Sequence, residues 1–133
     1  MPMISKMAAT PRSAADPGAV RAADRDGLAA AASVFRGLGD PSRLAILAHL
    51  SLGEHKVKDL TEHLGLAQST VSEHLLCLLD CGMVEVRAHG RASIYTLAVE
   101  EEVLGVLAAA ERLLAATGSA VVLCPRYGTG ALQ

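Results

Sequence analysis

A chain of 133 residues with 51% hydrophobic and 20% charged side chains holds enough apolar material for one compact domain with short tails, which excludes whole-chain disorder. Its 2% aromatics (Phe35, Tyr95 and Tyr127, with no Trp) exclude the stacking platform of a single-strand nucleic-acid binder and the cage of a cation binder. The net charge is −2, and residues 41–97 carry five Lys/Arg against six Asp/Glu, so a generic polyanion binder is excluded and any nucleic-acid contact rests on a few placed side chains.

Residues 1–20 are small, polar and proline-bearing and read as a flexible N-terminal arm. Lys6 is followed by no apolar signal region, and no apolar run approaches the ~20 residues that span a bilayer. A soluble, cytoplasmic protein with no membrane partner is expected. From Asp24 to Leu38 an Ala-rich stretch favours a first helix, with Asp24 and Asp26 near its positive end. Gly39-Asp40-Pro41 closes it and opens a second, Asp40 as N-cap and Pro41 at the first helical position. Leu44, Leu47, Ala48 and Leu50 give that second helix its apolar stripe. A third, Val57 to Leu64, stops at Gly65, and a fourth runs from about Gln68 to Gly82. The period then becomes two: Val84, Val86 and Ala88 alternate with Glu85 and Arg87, and Ile94 and Thr96 with Tyr95 and Leu97. His89-Gly90 between these runs reads as the tight turn of a two-stranded hairpin. A last helix, about Val99 to Ala116, carries Val103, Leu107, Ala110 and Leu114 on one stripe with Leu104 and Leu113 beside it. That is more apolar surface than one small domain covers, and packing against a partner subunit is expected. The order gives a mainly α fold with a two-stranded β wing, a winged helix-turn-helix over residues 21–118, followed by a C-terminal segment at 119–133.

Three cysteines, an odd number, argue against a disulfide framework and for thiol or metal chemistry. At 100° per helical residue, Val71, Leu75, Leu78 and Leu79 occupy one sector of the fourth helix. Cys77 and Cys81 lie about 40° from each other and roughly 125° from the centre of that sector. They therefore share a face, one turn apart and away from the core. Soft thiolates select Cd(II), Pb(II) or As(III) over Mg(II), Ca(II) or Mn(II). At its N-terminal end the same helix presents Gln68, Ser69, Thr70, Ser72 and His74, types that hydrogen-bond base edges and phosphates of double-stranded DNA. Polar residues there also simply cap helices. Ala67 departs from the capping residue expected before the helix. Arg87 and Arg91 flank the hairpin tip, placed either to neutralise phosphates or to be solvated without a partner. His74 lies beside the Cys77–Cys81 face, where a supplementary ligand is the alternative to DNA contact. His49, His55 and His63 show no ligand spacing and read as ordinary surface or core histidines. Neither an oxyanion loop nor an acidic orienter accompanies Cys77 and His74, so no enzyme and no organic substrate are expected.

The stretches FRGLGDPSRLAILAHL, LGLAQSTVSEHLLCLLDCGMVEV and RAHGRASIYTL cover most of residues 34–97, and in this register they resemble the ArsR/SmtB family of metal-responsive winged-helix repressors. The resemblance implies a homodimer built through the first and last helices, and a repressor that leaves double-stranded operator DNA when metal binds. One subgroup of that family places a Cys-x-Cys pair at the start of the third helix, where this chain has Lys56 and Lys58; another uses histidine on the last helix, which here has none. Cys77, Cys81 and the C-terminal Cys124 resemble the cadmium- and lead-sensing CmtR subgroup. That implies these three cysteines as ligands, Cys124 coming from the opposite subunit, and Cd(II) or Pb(II) as inducer. A three-sulfur set lacks the fourth ligand of structural zinc, so Zn(II) fits less well. The alternatives are the same fold answering to As(III) or to thiol oxidation, or a protein-interaction winged helix that never touches DNA.

Overall fold

Capping chemistry places the helix ends. The computed structural model describes residues 25–123, so the N-terminal arm at 1–20 and Cys124 lie outside the described residues. The chain divides into two units, residues 1–35 and 36–133. Helix α1 (Arg25–Leu38) crosses that boundary, and every later element belongs to the second unit. Asp40, in extended conformation, opens α2 (Pro41–Leu50) by accepting hydrogen bonds from the Ser42 and Arg43 amides at 2.9 and 3.1 Å. Helix α3 (Val57–Leu64) ends where Gly65 takes a φ of +69° and its amide donates to the Thr61 carbonyl. Helix α4 (Gln68–Asp80) starts at Ala67 with no side-chain cap, as the sequence implies, and α5 spans Glu100–Ala116.

The wing differs from expectation in two ways. Its sheet has three strands, because His55–Lys56 forms a short β1 that pairs antiparallel with β3 (Ala92–Leu97), His55 opposite Tyr95 and Lys56 opposite Ile94. The order is β1-β3-β2, with β2 at Val84–His89. Two residues are too short for an alternating pattern, which is why β1 escapes a periodicity reading. The turn also falls one residue later than expected: His89 pairs with Ala92, leaving Gly90 and Arg91 as the loop, with Gly90 at a φ of +63°.

The core is built from Ile46, Leu47 and Leu50 of α2, Leu60 of α3, Val71, Leu75 and Leu78 of α4, Met83 and Val84 at the entry to the wing, and Val103, Leu104, Leu107 and Ala108 of α5. The i, i+4, i+7 spacing of Val71, Leu75 and Leu78 commits one face of α4 to this core, where truncating either leucine to alanine costs about 2–5 kcal/mol. Helix α5 buries the expected Val103, Leu104 and Leu107 but leaves Val106 and Leu113 exposed. Its Glu111 is fully buried and accepts a 2.6 Å hydrogen bond from the Leu123 amide, which brings the chain end before Cys124 back onto the core. Among the described residues no helix is long and apolar enough to cross a membrane.

Candidate functional site

Committing Val71, Leu75 and Leu78 to the core turns the opposite side of α4 outward. Gln68 and Ser69 are exposed at its first turn, and Thr70 and Ser72 are half-buried beside them. His74 is placed differently. Its side chain is only 17% exposed, and Arg43 Nη1 lies 3.2 Å from its Nδ1. A guanidinium only donates, so Nδ1 accepts and the neutral ring carries its proton on Nε2, 3.7 Å from Asp40 Oδ2. The same Arg43 donates to the Gly37 and Arg36 carbonyls at 2.6 and 3.0 Å, closing the end of α1. The ring is thus held in a network joining α1, α2 and α4. Asp40 gains from it as well. The hydrogen bond from the Arg43 amide, which outweighs the opposing effect of burial, holds the Asp40 carboxyl below its ordinary 3.8, and the Ser42 amide adds to the lowering.

On the wing, Arg91 is exposed at the tip. Arg87 has a partner, contrary to the solvated alternative: its Nη2 donates to Glu54 Oε1 at 2.6 Å, both side chains remaining about half exposed. An exposed pair of this kind contributes about 0–1 kcal/mol, so Arg87 is easily released to a phosphate.

The thiols sit at the other end of α4. Cys77 and Cys81 are both half-buried and no disulfide joins them. The shared off-core face expected for them holds only in part. Cys81 is the C-cap residue, where the helix ends, and it packs against the core. Its Sγ would stand 2.9 Å from a Cβ built on Gly37, with Met83 Cε at 3.0 Å. A side chain at position 37 would force that sulfur to shift. The last turns of α1 and α4 and the entry to β2 therefore meet at Cys81. Cys124, the expected third ligand, lies outside the described residues, one position beyond the docked Leu123. One group was missed from sequence: the structure brings His49, His55 and His63 together, from α2, β1 and α3. Their spacing matches no single helical or strand period, and only the packing of three elements reveals them.

Comparison with known proteins agrees with this geometry. Residues 40–86, from the α2 cap to the first half of the wing, match the family described as "Bacterial regulatory protein, arsR family". The chain is 39% identical over 93 residues to a probable mercury resistance operon repressor of Streptomyces lividans, an alignment covering 70% of this chain and 73% of that one. It is 45% identical over 69 residues to the HTH-type transcriptional regulator CmtR of Mycobacterium tuberculosis, covering 52% of this chain and 58% of that one. The homodimeric winged helix-turn-helix DNA-binding domain Mb0332 of Mycobacterium bovis superposes with a TM-score of 0.60 at 28% identity, over 71% of this chain and 86% of that one. The chain belongs to the arsR family of bacterial regulatory proteins, transcriptional regulators rather than enzymes.

Proposed function

We propose that the protein is a metal-responsive repressor that binds double-stranded operator DNA as a homodimer and is released when Cd(II) or Pb(II) binds Cys77, Cys81 and Cys124. The observation that carries this reading is that one 13-residue helix has Gln68 and Ser69 exposed at its start and Cys77 in its last turn, with Cys81 as its C-cap. Gln68, Ser69, Thr70 and Ser72 are the groups that enter the major groove, with Arg87 and Arg91 on flanking phosphates. The name of the mercury resistance repressor relative supports a thiophilic inducer, and the homodimeric neighbour supports pairing through surfaces such as the exposed Val106 and Leu113 of α5. Residues 119–133 serve as the ligand-bearing segment, and the Glu111–Leu123 hydrogen bond supports a tail that returns to the body.

Coupling follows from the position of Cys81. Its sulfur is a packing element for Gly37 and Met83 as well as a donor atom, so drawing it into a thiolate site with Cys77 disturbs the junction of α1, α4 and β2. A metal supplies a soft Lewis acid that favours thiolate over thiol, and binding therefore strengthens as pH rises until the thiols are ionised. Full release requires about 5 kcal/mol of differential affinity, whereas ~1–3 kcal/mol is usual and gives partial release. The test is fluorescence anisotropy of a DNA fragment from the protein's own promoter, under reducing conditions, before and after Cd(II). Loss of binding on adding Cd(II) is expected, with Cys124→Ser retaining apo-protein DNA binding but responding weakly. Tight Cd(II) binding at unchanged DNA affinity would overturn the proposal. Release by As(III) alone, or by peroxide alone, would move the inducer to arsenic or to oxidation.

A further inference from the structure

Three imidazoles from three separate elements converge on one side of the support for the recognition helix. His49 lies in the last turn of α2, His55 in β1 and His63 in the last turn of α3. The ring centroids are 4.9 Å apart for His49 and His63, 5.5 Å for His55 and His63, and 6.0 Å for His49 and His55. One ring nitrogen from each lies within 4.8 Å of one from each of the others. The rings are inclined to one another, at 34° for His49 and His63, 59° for His49 and His55, and 75° for His55 and His63. His55 is further oriented by a 2.9 Å contact between its Nδ1 and the Gly53 carbonyl oxygen. A carbonyl only accepts, so Nδ1 carries the proton and the lone pair of the neutral ring is on Nε2. A backbone acceptor fixing the tautomer of a ligand histidine in this way recurs behind metal-bound imidazoles.

We propose that His49, His55 and His63 form a second metal site, one that takes a borderline divalent ion of the Zn(II) type and is separate from the cysteine set. Three neutral imidazoles suit zinc, nickel or copper better than the hard ions bound by carboxylates, and three protein ligands leave a fourth tetrahedral position for water. Donors around a tetrahedral zinc at ~2.05 Å are about 3.3 Å apart, so the nitrogens close by no more than about 1.5 Å on binding. His63 is exposed and free to make most of that movement by side-chain rotation. An ion there ties α2, β1 and α3 together, and α3 is the helix on which α4 is seated. The site therefore stiffens the helix-turn-helix from behind, with no ligand drawn from the tail or from a second subunit.

The test uses the full-length chain without an affinity tag and with Cys77, Cys81 and Cys124 all replaced by serine, so that a failed cysteine reading leaves the result unaffected. Co(II) and Zn(II) titrations are read by visible absorption and calorimetry, and Zn(II) binding by the imidazole nitrogen shifts of 15N-histidine. One ion per chain is expected, with shifts confined to His49, His55 and His63. Exposed His63→Ala should weaken binding at least about tenfold while leaving the circular dichroism unchanged, and wing His89→Ala should have no effect. If the serine-substituted chain does not fold, the same nitrogen shifts and the loss of one Zn(II) equivalent in His63→Ala are read in the unaltered cysteine background. Absence of a Zn(II) equivalent lost with His63, or shifts appearing at His74 or His89 instead, would overturn the proposal.

Discussion

Gly37 shows how one missing side chain shapes the candidate site. Glycine inside a helix costs about 0.5–1 kcal/mol relative to alanine, yet here it is buried in the last turn of α1. The reason is the Cys81 sulfur, 2.9 Å from where a Cβ would stand. Gly37→Ala is therefore expected to destabilise the protein by about 1–2 kcal/mol, overpacking outweighing the better helix propensity. In a Cys81→Ala background the same change should be neutral or stabilising, because the nearest remaining atom of residue 81 is the Cβ at 3.8 Å and the Met83 terminus can swing aside. Urea melts of the four proteins in this cycle read the coupling directly, and equal costs of Gly37→Ala in both backgrounds would remove the packing role of Cys81. The helical angle alone misplaces this residue. It assumes that Cys81 continues an ideal helix facing water, while the neighbouring helix leaves a slot for its sulfur. The partners of His74 are hidden for a similar reason: Arg43 and Asp40, distant in sequence, are near it in space.

Among the elements, those closed by strong local signals were legible and those made by pairing were not. Asp40-Pro41 and Gly65 fix the start of α2 and the end of α3 through hydrogen bonds made within a few residues, so sequence suffices to place them. Strand β1 exists only because β3 lies beside it, and the histidine trio exists only because α2, β1 and α3 pack together. The start of α4 is a weak point of known cause. Ala67 has the extended backbone of an N-cap, with φ −65° and ψ 147°, but offers no oxygen to the first-turn amides. Ala67→Ser should add about 1 kcal/mol to the unfolding free energy, read as a higher urea midpoint at unchanged slope. No gain would mean that solvent already satisfies those amides at no cost to the fold.

At the scale of the molecule, Asp40 and His49, two of the described groups, are shifted the same way and link stability to pH. Burial, reinforced by the neighbouring His63 and His55, keeps the His49 pKa below its ordinary 6.5, and hydrogen bonding keeps Asp40 below 3.8. In both cases the unfolded chain binds more protons than the folded one between the two pKa values, so stability rises with pH there. The His49 contribution is complete above pH 6.5 and is lost as pH falls below it; that of Asp40 is complete above 3.8 and lost below. In metal-free protein the melting temperature should therefore decline between pH 7 and pH 5.5, and decline less in His63→Ala, which removes one charge facing His49. An identical pH profile in the variant would mean that burial alone governs the ring.

The short β1 strand has a consequence for how DNA would be measured. His55 and Lys56 pair with Tyr95 and Ile94, so the loop before α3 is laced to the wing. A hairpin attached only at its base swings; this one is indexed to the same helix pair that seats α4. Reading helix and wing tip then move as one head, and an operator whose groove departs from ideal geometry cannot be met by a flexing wing. The adjustable quantity in the proposed homodimer is the distance between the two heads. Groove geometry within a half-site, rather than half-site spacing, is then the property of DNA to which the protein should be least tolerant.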